Sequence, residues 1–495
     1  GGVPAMCDGV TQGQVGMELS LLSREVIAMA TAVSLSHNVF DGVVCLGICD
    51  KIVPGLMIGA LSYGYLPTIF IPSGPMPSGI SNKEKTETRK LFAEGKVGSD
   101  ALLESELKSY HAPGTCTFYG TANTNQMMME IMGLHIPSAA FIHPNTKLRT
   151  AITEQAVKQI INNTAQGQNF TPLCELVSEK SLVNALVGLL ATGGSTNHTL
   201  HIPAIAKAAG ILINWDDFAE LSAAVPLLAS VYPSGSADVN QFHDAGGMAY
   251  VIKQLLDGGF LHNDVKTVLG YGLDNYTKYA VLSNEQQLTW IDAFNNDTTI
   301  LRAVDNPFSN EGGVKLLTGN LGRSVSKISA IAEEYRYVKA PAQVFHTQDD
   351  MLSAYKAGEL NKDVVVVLKY QGPRANGMPE LHKLIPALLS LQDQGYKVAL
   401  VTDGRMSGAS GKVPNAIHLT PETLNNENFA KIIDGDIIEL DLNSGILELH
   451  VTYEVLQERN LVHPDLSANS IGFGRNLFSH LRNNLSDSEC GATLF

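Results

Sequence analysis

Residues 47–55, with the sequence GICDKIVPG, set both the fold and the chemistry expected of this chain. An apolar run at 43–46 precedes them, and a second apolar run follows Pro54 and Gly55. This pattern predicts a buried strand that ends in a loop and leads into a helix. Ligands of α/β proteins bind at the ends of such strands, so we expect a functional site here.

Two other stretches, AMCDG at 5–9 and PGTCT at 113–117, also place a cysteine beside small or turn-forming residues. The spacing of Cys7, Cys49 and Cys116 is long and irregular, and it matches no local zinc or ferredoxin pattern. Three unrelated buried thiols are therefore one interpretation. However, an aspartate directly follows Cys7 and Cys49, and a polar run follows Cys116. These surroundings favour the hypothesis that the three cysteines hold an iron–sulfur cluster.

The aspartates beside the first two cysteines indicate a metal site. Asp8 and Asp50 offer the hard oxygen ligands that Mg²⁺ takes from proteins, although turn capping is the alternative role for each. Lys51 is unexpected beside a dication, because its ammonium group would repel the metal. It would have to be neutral or modified there, and the alternative is a solvent-facing or salt-bridged lysine.

A third chemical stretch, VTDGRMSGASGK at 401–412, is an apolar strand that runs into a loop of glycines, serines and basic residues. Its glycines let backbone amides approach an anion, and Arg405 and Lys412 can pair with a carboxylate or phosphate. Ser407 can act as a nucleophile or base if a cation stabilises its alkoxide. The spacing is not that of a P-loop, and a plain flexible loop is the alternative.

Composition narrows the class of protein. The chain has 495 residues, of which 44% are hydrophobic and 17% charged, so it has material for a large core in two or three domains. The net charge of −15 argues against nucleic-acid or anionic-membrane partners. Six cysteines are too few for a disulfide scaffold and favour a reduced, cytoplasmic protein.

Neither a membrane anchor nor a signal peptide is visible in the sequence. No apolar stretch reaches the roughly 18 residues that a bilayer crossing needs. No basic segment followed by an apolar one opens the chain, so we predict no signal peptide. Because the first residue is glycine and not methionine, we expect further residues upstream.

Periodicity in the first part of the chain predicts an α/β fold. Apolar strands are expected at 43–46, 67–71 and 139–142. Helices are expected between them and beyond them, at 17–36, 83–94, 100–111, 121–134, 148–163, 179–190 and 198–208. Strands that alternate with helices predict a mainly parallel sheet covered on both faces. Residues 214–318 mix helices with glycine-rich turns.

The pattern changes near residue 337, after which strands dominate. We expect them at 344–346, 364–368, 397–402, 436–442 and 446–451, with a hairpin turn at 443–445. The predicted domains are therefore an α/β cluster- and metal-binding domain over 1–337 and a smaller β-rich barrel or sandwich over 338–495.

Six ordered motifs resemble the dihydroxy-acid dehydratase and 6-phosphogluconate dehydratase family. They are VPAMCDGVTQGQ, CDKIVPG, APGTCTFYGTANTNQ, ATGGSTNH, GPRANGMPELHKLIP and VTDGRMSGASGKVPNAIHLTPE. The likeness extends from residue 1 to the C-terminus and is stronger to the 6-phosphogluconate branch. It implies a homodimer in which each chain has an α/β domain, a C-terminal β-barrel domain and a site between the two.

The resemblance also implies site residues. The cluster ligands would be Cys7, Cys49 and Cys116, with a 4Fe–4S cluster favoured over 2Fe–2S. Dihydroxy-acid dehydratases take one cluster cysteine from an upstream segment and have serine at the position of Cys7, which leaves Cys7 and the cluster type open. Ser407 matches the proposed base of the family. The Mg²⁺ site of the family maps onto Asp8, Asp50, Lys51 and Glu380. In the family the lysine is carbamylated.

The implied reaction is the dehydration of 6-phosphogluconate to 2-keto-3-deoxy-6-phosphogluconate, a step of the Entner–Doudoroff pathway, with the cluster as Lewis acid. Candidate partners for the phosphate are the basic residues Lys83, Lys85, Arg374, Arg405 and Lys412. Alternatives are a dehydratase of another sugar acid or of 2,3-dihydroxy branched acids, and a Mg²⁺-only dehydratase of enolase type with inert cysteines. A sugar-phosphate-binding regulator without turnover is a further alternative.

Overall fold

The computed structural model describes residues 2–408, 410–461 and 463–495, which form a mixed α/β fold with one closed eight-stranded barrel. The strands are β1 (Val43–Gly47), β2 (Thr68–Pro72), β3 (Lys266–Thr267), β4 (Gly270–Tyr271), β5 (Lys278–Leu282), β6 (Leu288–Asp292), β7 (Val314–Gly319), β8 (Gly322–Lys327), β9 (Tyr337–Phe345), β10 (Val364–Leu368), β11 (Val398–Thr402), β12 (Asn415–Thr420), β13 (Ile437–Asp441) and β14 (Ile446–Leu449).

The α-helices are α1 (Asp8–Thr11), α2 (Ser20–Leu35), α3 (Ile52–Leu61), α4 (Asn82–Ala93), α5 (Ser99–Ser109), α6 (Thr121–Ile131), α7 (Lys147–Asn163), α8 (Leu173–Leu176), α9 (Glu179–Thr192), α10 (His198–Ala208), α11 (Trp215–Ala224), α12 (Val239–Asp244), α13 (Gly247–Asp257), α14 (Gln348–Lys356), α15 (Pro373–Asn376), α16 (Leu384–Asp393), α17 (Glu427–Ala430), α18 (Tyr453–Glu458) and α19 (Arg475–Asn483). Short 3₁₀ helices lie at Val15–Leu19, Asp274–Thr277, Ile328–Ala330, Glu333–Tyr335, Thr423–Asn425, Ser467–Ser470 and Ser488–Cys490.

The helices predicted in the first part of the chain are confirmed, with ends that shift by a few residues. Local signals explain where they begin and end. At α9, the side chains of Ser178 and Ser181 form a capping box, and Gly193 ends the helix in the left-handed conformation. Within the described residues we find no helix with the length and apolar character that a bilayer crossing requires.

The parallel sheet in this part of the chain has two strands, fewer than the three that the sequence predicts. Strands β1 and β2 pair in parallel, from Val43 opposite Thr68 to Gly47 opposite Pro72. The third predicted strand, at 139–142, is a buried segment of turns. The Glu130 carboxylate accepts hydrogen bonds from backbone amides within and beside this segment, those of Ser138 and Ala140. A side chain thus satisfies polar groups that a neighbouring strand would otherwise pair.

The barrel closes in the order β10, β11, β12, β8, β7, β14, β13, β9, with parallel pairing from β9 to β12. Strand β10 shows why its sequence is apolar throughout. Val365 and Val367 belong to the barrel interior, whereas Val364, Val366 and Leu368 pack in the large core shared with the helices. A strand that is buried on both faces needs this continuous run.

Two barrel strands, β7 and β8, lie ahead of the boundary predicted near residue 337. Strand β8 carries the buried polar side chains Ser324 and Ser326, so it lacks the apolar run by which the later strands were predicted. Strand β12 was also not predicted. The barrel sequence therefore begins near Val314, within the segment assigned to the α/β part.

The loops after three parallel strands converge on one region. Strand β1 leads to the cysteine–aspartate–lysine stretch, and the loops after β10 and β11 are tied together by Asp403. This buried carboxylate accepts hydrogen bonds from the backbone amides of Gln371 at 2.8 Å and Thr423 at 2.9 Å. The segment containing Glu380 then pairs with Arg405 through a parallel bridge. The carboxyl ends of these strands consequently frame the candidate site.

Candidate active site

Three carboxylates from distant parts of the chain meet in the interior. Asp8 comes from α1, Asp50 follows β1, and Glu380 lies after α15. One oxygen of each lies within 4.8 Å of the others, and all three residues are buried. Burial of three negative groups at one place is unfavourable unless cations or protons compensate them.

Two buried cations accompany the carboxylates. The Lys51 Nζ atom lies 2.6 Å from Asp8 Oδ2 and 3.6 Å from Asp50 Oδ2. Arg405 donates from Nη1 to Glu380 Oε1 at 2.6 Å, and its Nη2 lies 3.3 Å from Asp8 Oδ2. Lys51 is thus salt-bridged and buried. Arg405, a candidate for the phosphate from sequence, instead neutralises the carboxylates.

These charges set the pKa values of the acidic group. Burial alone would raise the pKa of Asp8, but Lys51 and Arg405 outweigh it and bring that pKa well below its usual range. Burial raises the pKa of Asp50 to about 7, against the opposing effect of Lys51. Burial likewise raises the pKa of Glu380. The arrangement therefore carries more acidic groups than its own cations compensate.

Three polar side chains complete this layer. Ser20 Oγ donates to Asp8 Oδ1 at 2.6 Å, Asn197 Nδ2 donates to Glu380 Oε1 at 3.0 Å, and Gln12 Nε2 donates to Glu380 Oε2. Within the described residues, the amide oxygens of Gln12 and Asn197 are buried without a hydrogen-bond partner. Gln12 and Asn197 lie in two of the motifs quoted above, but sequence reasoning gave neither a role.

The donor set fits a hard divalent cation. It consists of oxygens, namely those of three carboxylates and the two unpartnered amide oxygens beside them. Mg²⁺ prefers such ligands and commonly uses one or two protein carboxylates. The unsatisfied acceptors indicate that the protein groups alone leave part of this polar site uncompensated.

The three predicted cysteines lie beside the acidic group. The sulfurs of Cys7 and Cys116 lie 3.7 and 4.0 Å from the point that a Cβ on Gly9 would occupy. A hydrogen bond from Cys49 lowers the pKa of Cys7 to about 6 and raises that of Cys49. Burial raises the pKa of Cys116 to about 12. Cys49 Sγ is 3.9 Å from Asp50 Oδ1, which connects the sulfurs to the carboxylates.

These thiols fit a cluster with three protein ligands. All three are free, and all line one open groove. Gly9 leaves bare backbone between two of the sulfurs, and thiolates are the protein ligands of iron–sulfur clusters. Cys45, by contrast, is buried in β1, and burial raises its pKa to about 12.

Ser407 lines the same cavity as the acids and two of the cysteines. The lining includes Asp8, Asp50, Glu380, Cys49 and Cys116. This cavity thus brings together the predicted base, three of the four predicted metal ligands and two predicted cluster ligands. Cys7 lines the adjoining groove with Cys49 and Cys116.

Close packing fixes the position of the Ser407 loop. A Cβ at Gly408 would lie 2.7 Å from the Cα of Gly120 and 2.9 Å from the backbone nitrogen of Thr121. Both contacts are with the backbone at the start of α6, which cannot move like the end of a flexible side chain. Gly408 therefore permits this close approach.

We expect Gly408→Ala to lower kcat by about 10²-fold, because it displaces Ser407 from its working position. Steady-state kinetics and thermal unfolding measure the effect on activity and on fold. Gly98→Ala is the matched control, since a Cβ at Gly98 meets no atom within 4 Å. Equal kcat values for Gly408→Ala and the unaltered chain would contradict the assigned packing role.

Behind the acidic group, two side chains position the loop that carries Cys49 and Asp50. Asn125 Nδ2 donates to the backbone oxygen of Asp50 at 3.0 Å, and Asn125 Oδ1 lies 2.9 Å from His198 Nε2. Burial lowers the pKa of His198 to about 3, so the imidazole is neutral and donates its Nε2 proton. Both residues lie in the motifs of the sequence but received no predicted role.

The five basic residues predicted for the phosphate do not lie together. Lys85 and Lys412 line a second cavity, next to Arg89, which sequence reasoning missed. Lys83 is exposed on α4. Arg374 is paired with Glu422 and Asp487, and Arg405 lies in the acidic group.

One more buried lysine, Lys327, lies near the loop that carries Ser407. The stem of Lys327 packs against Gly411, with Cδ 3.3 Å from the point that a Cβ there would occupy. Lys327 Nζ is buried with no hydrogen-bond partner among the described residues, and burial lowers its pKa to about 7. At and below pH 7 the folded chain must therefore contain an unpaired ammonium group that the unfolded chain leaves in water.

We expect Lys327→Met to raise the free energy of unfolding by about 1–4 kcal/mol at pH 6, because it replaces an uncompensated buried charge by an apolar side chain of similar length. Since the folded pKa is depressed, the unaltered chain regains stability as the pH rises from about 7 towards the usual lysine pKa. The advantage of the variant should shrink over that range. Denaturant unfolding at pH 6 and 9 tests this, with the exposed Lys362→Met as control; no gain at pH 6 would contradict it.

Comparisons with known proteins place this chain in a class of enzymes. Residues 2–276 match the dihydroxy-acid/6-phosphogluconate dehydratase N-terminal family, and residues 299–492 match its C-terminal counterpart. These matches show that the chain is an enzyme of the dehydratase class. The chain belongs to the dihydroxy-acid/6-phosphogluconate dehydratase family.

Individual relatives span the whole chain. A phosphogluconate dehydratase of Pseudomonas aeruginosa is 57% identical over 497 residues, which cover 100% of this chain and 81% of the relative. The Escherichia coli phosphogluconate dehydratase is 57% identical over 495 residues, covering 100% of this chain and 82% of its own length. A dihydroxy-acid dehydratase of Ignicoccus hospitalis is 35% identical over 467 residues, which cover 92% of this chain and 81% of the relative. The family predicted from six motifs is confirmed.

Proposed function

We propose that this chain is a hydro-lyase of gluconate metabolism that converts 6-phosphogluconate into 2-keto-3-deoxy-6-phosphogluconate. The observation that carries the proposal is one cavity that contains three buried carboxylates, two cysteine sulfurs and a serine hydroxyl. The phosphogluconate dehydratases that are 57% identical over the whole chain support this choice of substrate.

We propose two resident cofactors. Asp8, Asp50 and Glu380 would hold Mg²⁺, with Lys51 as a carbamate that turns a repelling ammonium into an oxygen ligand. Cys7, Cys49 and Cys116 would bind the cluster. A cluster of the 4Fe–4S type would then have one iron without a cysteine ligand. When bound, the dication would stabilise negative charge on the carboxylate and C2 oxygen of the substrate, and the cluster would supply a Lewis acid for the C3 hydroxyl.

The protein residues would move one proton and exclude water. Ser407 Oγ takes the proton from C2, the electron pair of the broken C–H bond forms the C2–C3 double bond, and the C3 hydroxyl departs. That hydroxyl and the proton together make up the water lost. The resulting enol then becomes the 2-keto acid. Burial of the acidic group limits access of bulk water to the reacting carbons.

Two features favour ionised Ser407. The amino-terminal end of α6 lies against the loop, because Gly408 packs at Gly120 and Thr121. Helix amino-termini favour negative charge. Arg405 adds positive charge on the acidic side of the cavity and orients Glu380 through its 2.6 Å hydrogen bond.

The same family likeness supports wider proposals. We propose a cytoplasmic homodimer in which the site lies between an α/β part and a C-terminal barrel part. The barrel part would begin near Val314, where the first barrel strand begins.

The test is anaerobic reconstitution with iron, sulfide and Mg²⁺, followed by measurement of keto-acid release from 6-phosphogluconate, gluconate and 2,3-dihydroxyisovalerate. We expect the highest kcat/KM for 6-phosphogluconate and loss of activity after chelation of the dication. Preferred turnover of dihydroxyisovalerate would reassign the substrate. Binding of 6-phosphogluconate without keto-acid formation would favour the alternative function, a sugar-phosphate-binding regulator without turnover.

A further inference from the structure

A second cavity adjoins the candidate active site and differs from it in charge. Its lining contains three cationic side chains, Lys85, Arg89 and Lys412, and no carboxylate among the described lining residues. The net charge of the whole chain is −15, so a cavity with only basic charged groups departs from the general character of the protein. Such a cavity suits an anion.

Helix α4 supplies one wall. Asn82, Lys85, Thr86 and Arg89 line the cavity and follow one another at the spacing of a single helix face. Asn82 is the first residue of this 12-residue helix, so the positive end of the helix dipole also lies at the cavity. Helix geometry and side-chain charge therefore favour the same kind of ligand.

Another part of the lining comes from the loop after β11. Lys412 Nζ lies 5.2 Å from the ring centre of Tyr232, and Lys85 Nζ donates to the hydroxyl of Tyr110 at 2.8 Å. An ammonium group has three donors, so Lys85 retains donors beyond this bond. Ser410 Oγ is buried and has no hydrogen-bond partner among the described residues. These groups could be satisfied by the oxygens of one tetrahedral anion.

His382 joins the two cavities, because it lines both. Its Nε2 atom lies 3.0 Å from Arg89 Nη1, which can only donate, so Nε2 accepts and the ring proton is on Nδ1. Nδ1 is buried without a partner among the described residues. Glu106 accepts from Arg89 Nε at 2.8 Å and thereby fixes the guanidinium on which His382 depends.

We infer that the cavity formed by Lys85, Arg89, Ser410 and Lys412 binds the phosphate of a phosphorylated sugar acid, while His382 Nδ1 donates to the sugar chain between this phosphate and the acidic cavity. The inference rests on the proposed function and specifies what distinguishes a phosphorylated substrate from an unphosphorylated one. It assigns the phosphate to Lys85 and Lys412 and gives no part to Lys83, Arg374 or Arg405.

The test compares Lys412→Met with Lys83→Met, which removes an exposed lysine of α4 that does not line the cavity. Calorimetry measures binding of 6-phosphogluconate, of gluconate and of inorganic phosphate, and kinetics gives kcat and KM separately. For Lys412→Met we expect 6-phosphogluconate affinity to fall about 10- to 100-fold relative to gluconate, as for a lost hydrogen bond to a charged group, with weaker binding of inorganic phosphate. Lys83→Met should change neither.

His382→Ala provides a second measurement. We expect this variant to have a higher KM for 6-phosphogluconate than the unaltered chain has. Its affinity for inorganic phosphate should change less than this KM does. The inference is overturned if the unaltered chain converts 6-phosphogluconate but Lys412→Met retains its KM and its phosphate affinity. Failure of the unaltered, reconstituted chain to form keto acid from 6-phosphogluconate would instead contradict the proposed function, so the two failures are distinguishable.

Discussion

Replacement of Cys49 or Cys116 by serine is expected to abolish keto-acid production, with a loss of at least about 10³-fold, and to remove the brown colour of the reconstituted protein. Both sulfurs line the cavity that contains Ser407 and the three carboxylates. A lost thiolate removes a cluster ligand and with it the Lewis acid for the departing hydroxyl. Activity and visible absorption should therefore disappear together.

Cys174→Ser is the matched control for the cysteine variants. This thiol is exposed in α8, so the serine variant should retain both colour and turnover. If Cys49→Ser or Cys116→Ser kept full activity, the cysteines would be inert and the Mg²⁺-only alternative would be favoured. Cys7→Ser extends the test to the cysteine whose role the family resemblance left open.

Ser407→Ala is expected to lower kcat by about 10²–10⁴-fold while KM and the cluster absorption stay close to their original values. The alanine variant lacks the oxygen that takes the C2 proton, but it keeps every proposed metal and cluster ligand. Loss of turnover with retained colour separates a proton-transfer defect from loss of a cofactor. Steady-state kinetics and absorption spectra on the same samples provide the comparison.

Ser410→Ala is a useful comparator, because the residue lies in the same loop but lines the basic cavity. We expect its main effect on the KM for 6-phosphogluconate, whereas Ser407→Ala should affect kcat. Normal turnover by Ser407→Ala would remove the serine from its assigned role as base.

Much of the site was predictable from sequence because its chemistry lies in short local patterns. The cysteine–aspartate pairs and the strand before residue 47 indicated a shared site, and the structure places Asp8, Asp50 and Cys49 around one cavity. The apolar run of β10 likewise predicted its strand, since burial on both faces requires continuous hydrophobicity.

Other features depend on contacts that no local pattern specifies. Arg405 and Lys412 share one loop, yet the first pairs with buried carboxylates and the second lines the basic cavity. The sequence shows that both residues are basic, but it does not show which groups each one contacts in the folded chain. The polar strand β8 was missed for a related reason, because pairing with its neighbours β7 and β12, rather than its own hydrophobicity, makes it a strand.

The most direct test of the central claim is an anaerobic titration of the metal-free protein with iron and sulfide at saturating Mg²⁺, in which bound iron and keto-acid release from 6-phosphogluconate are measured on each sample. We predict that activity rises in proportion to cluster content and approaches zero in the iron-free protein. Full activity in samples that contain almost no iron would contradict the account.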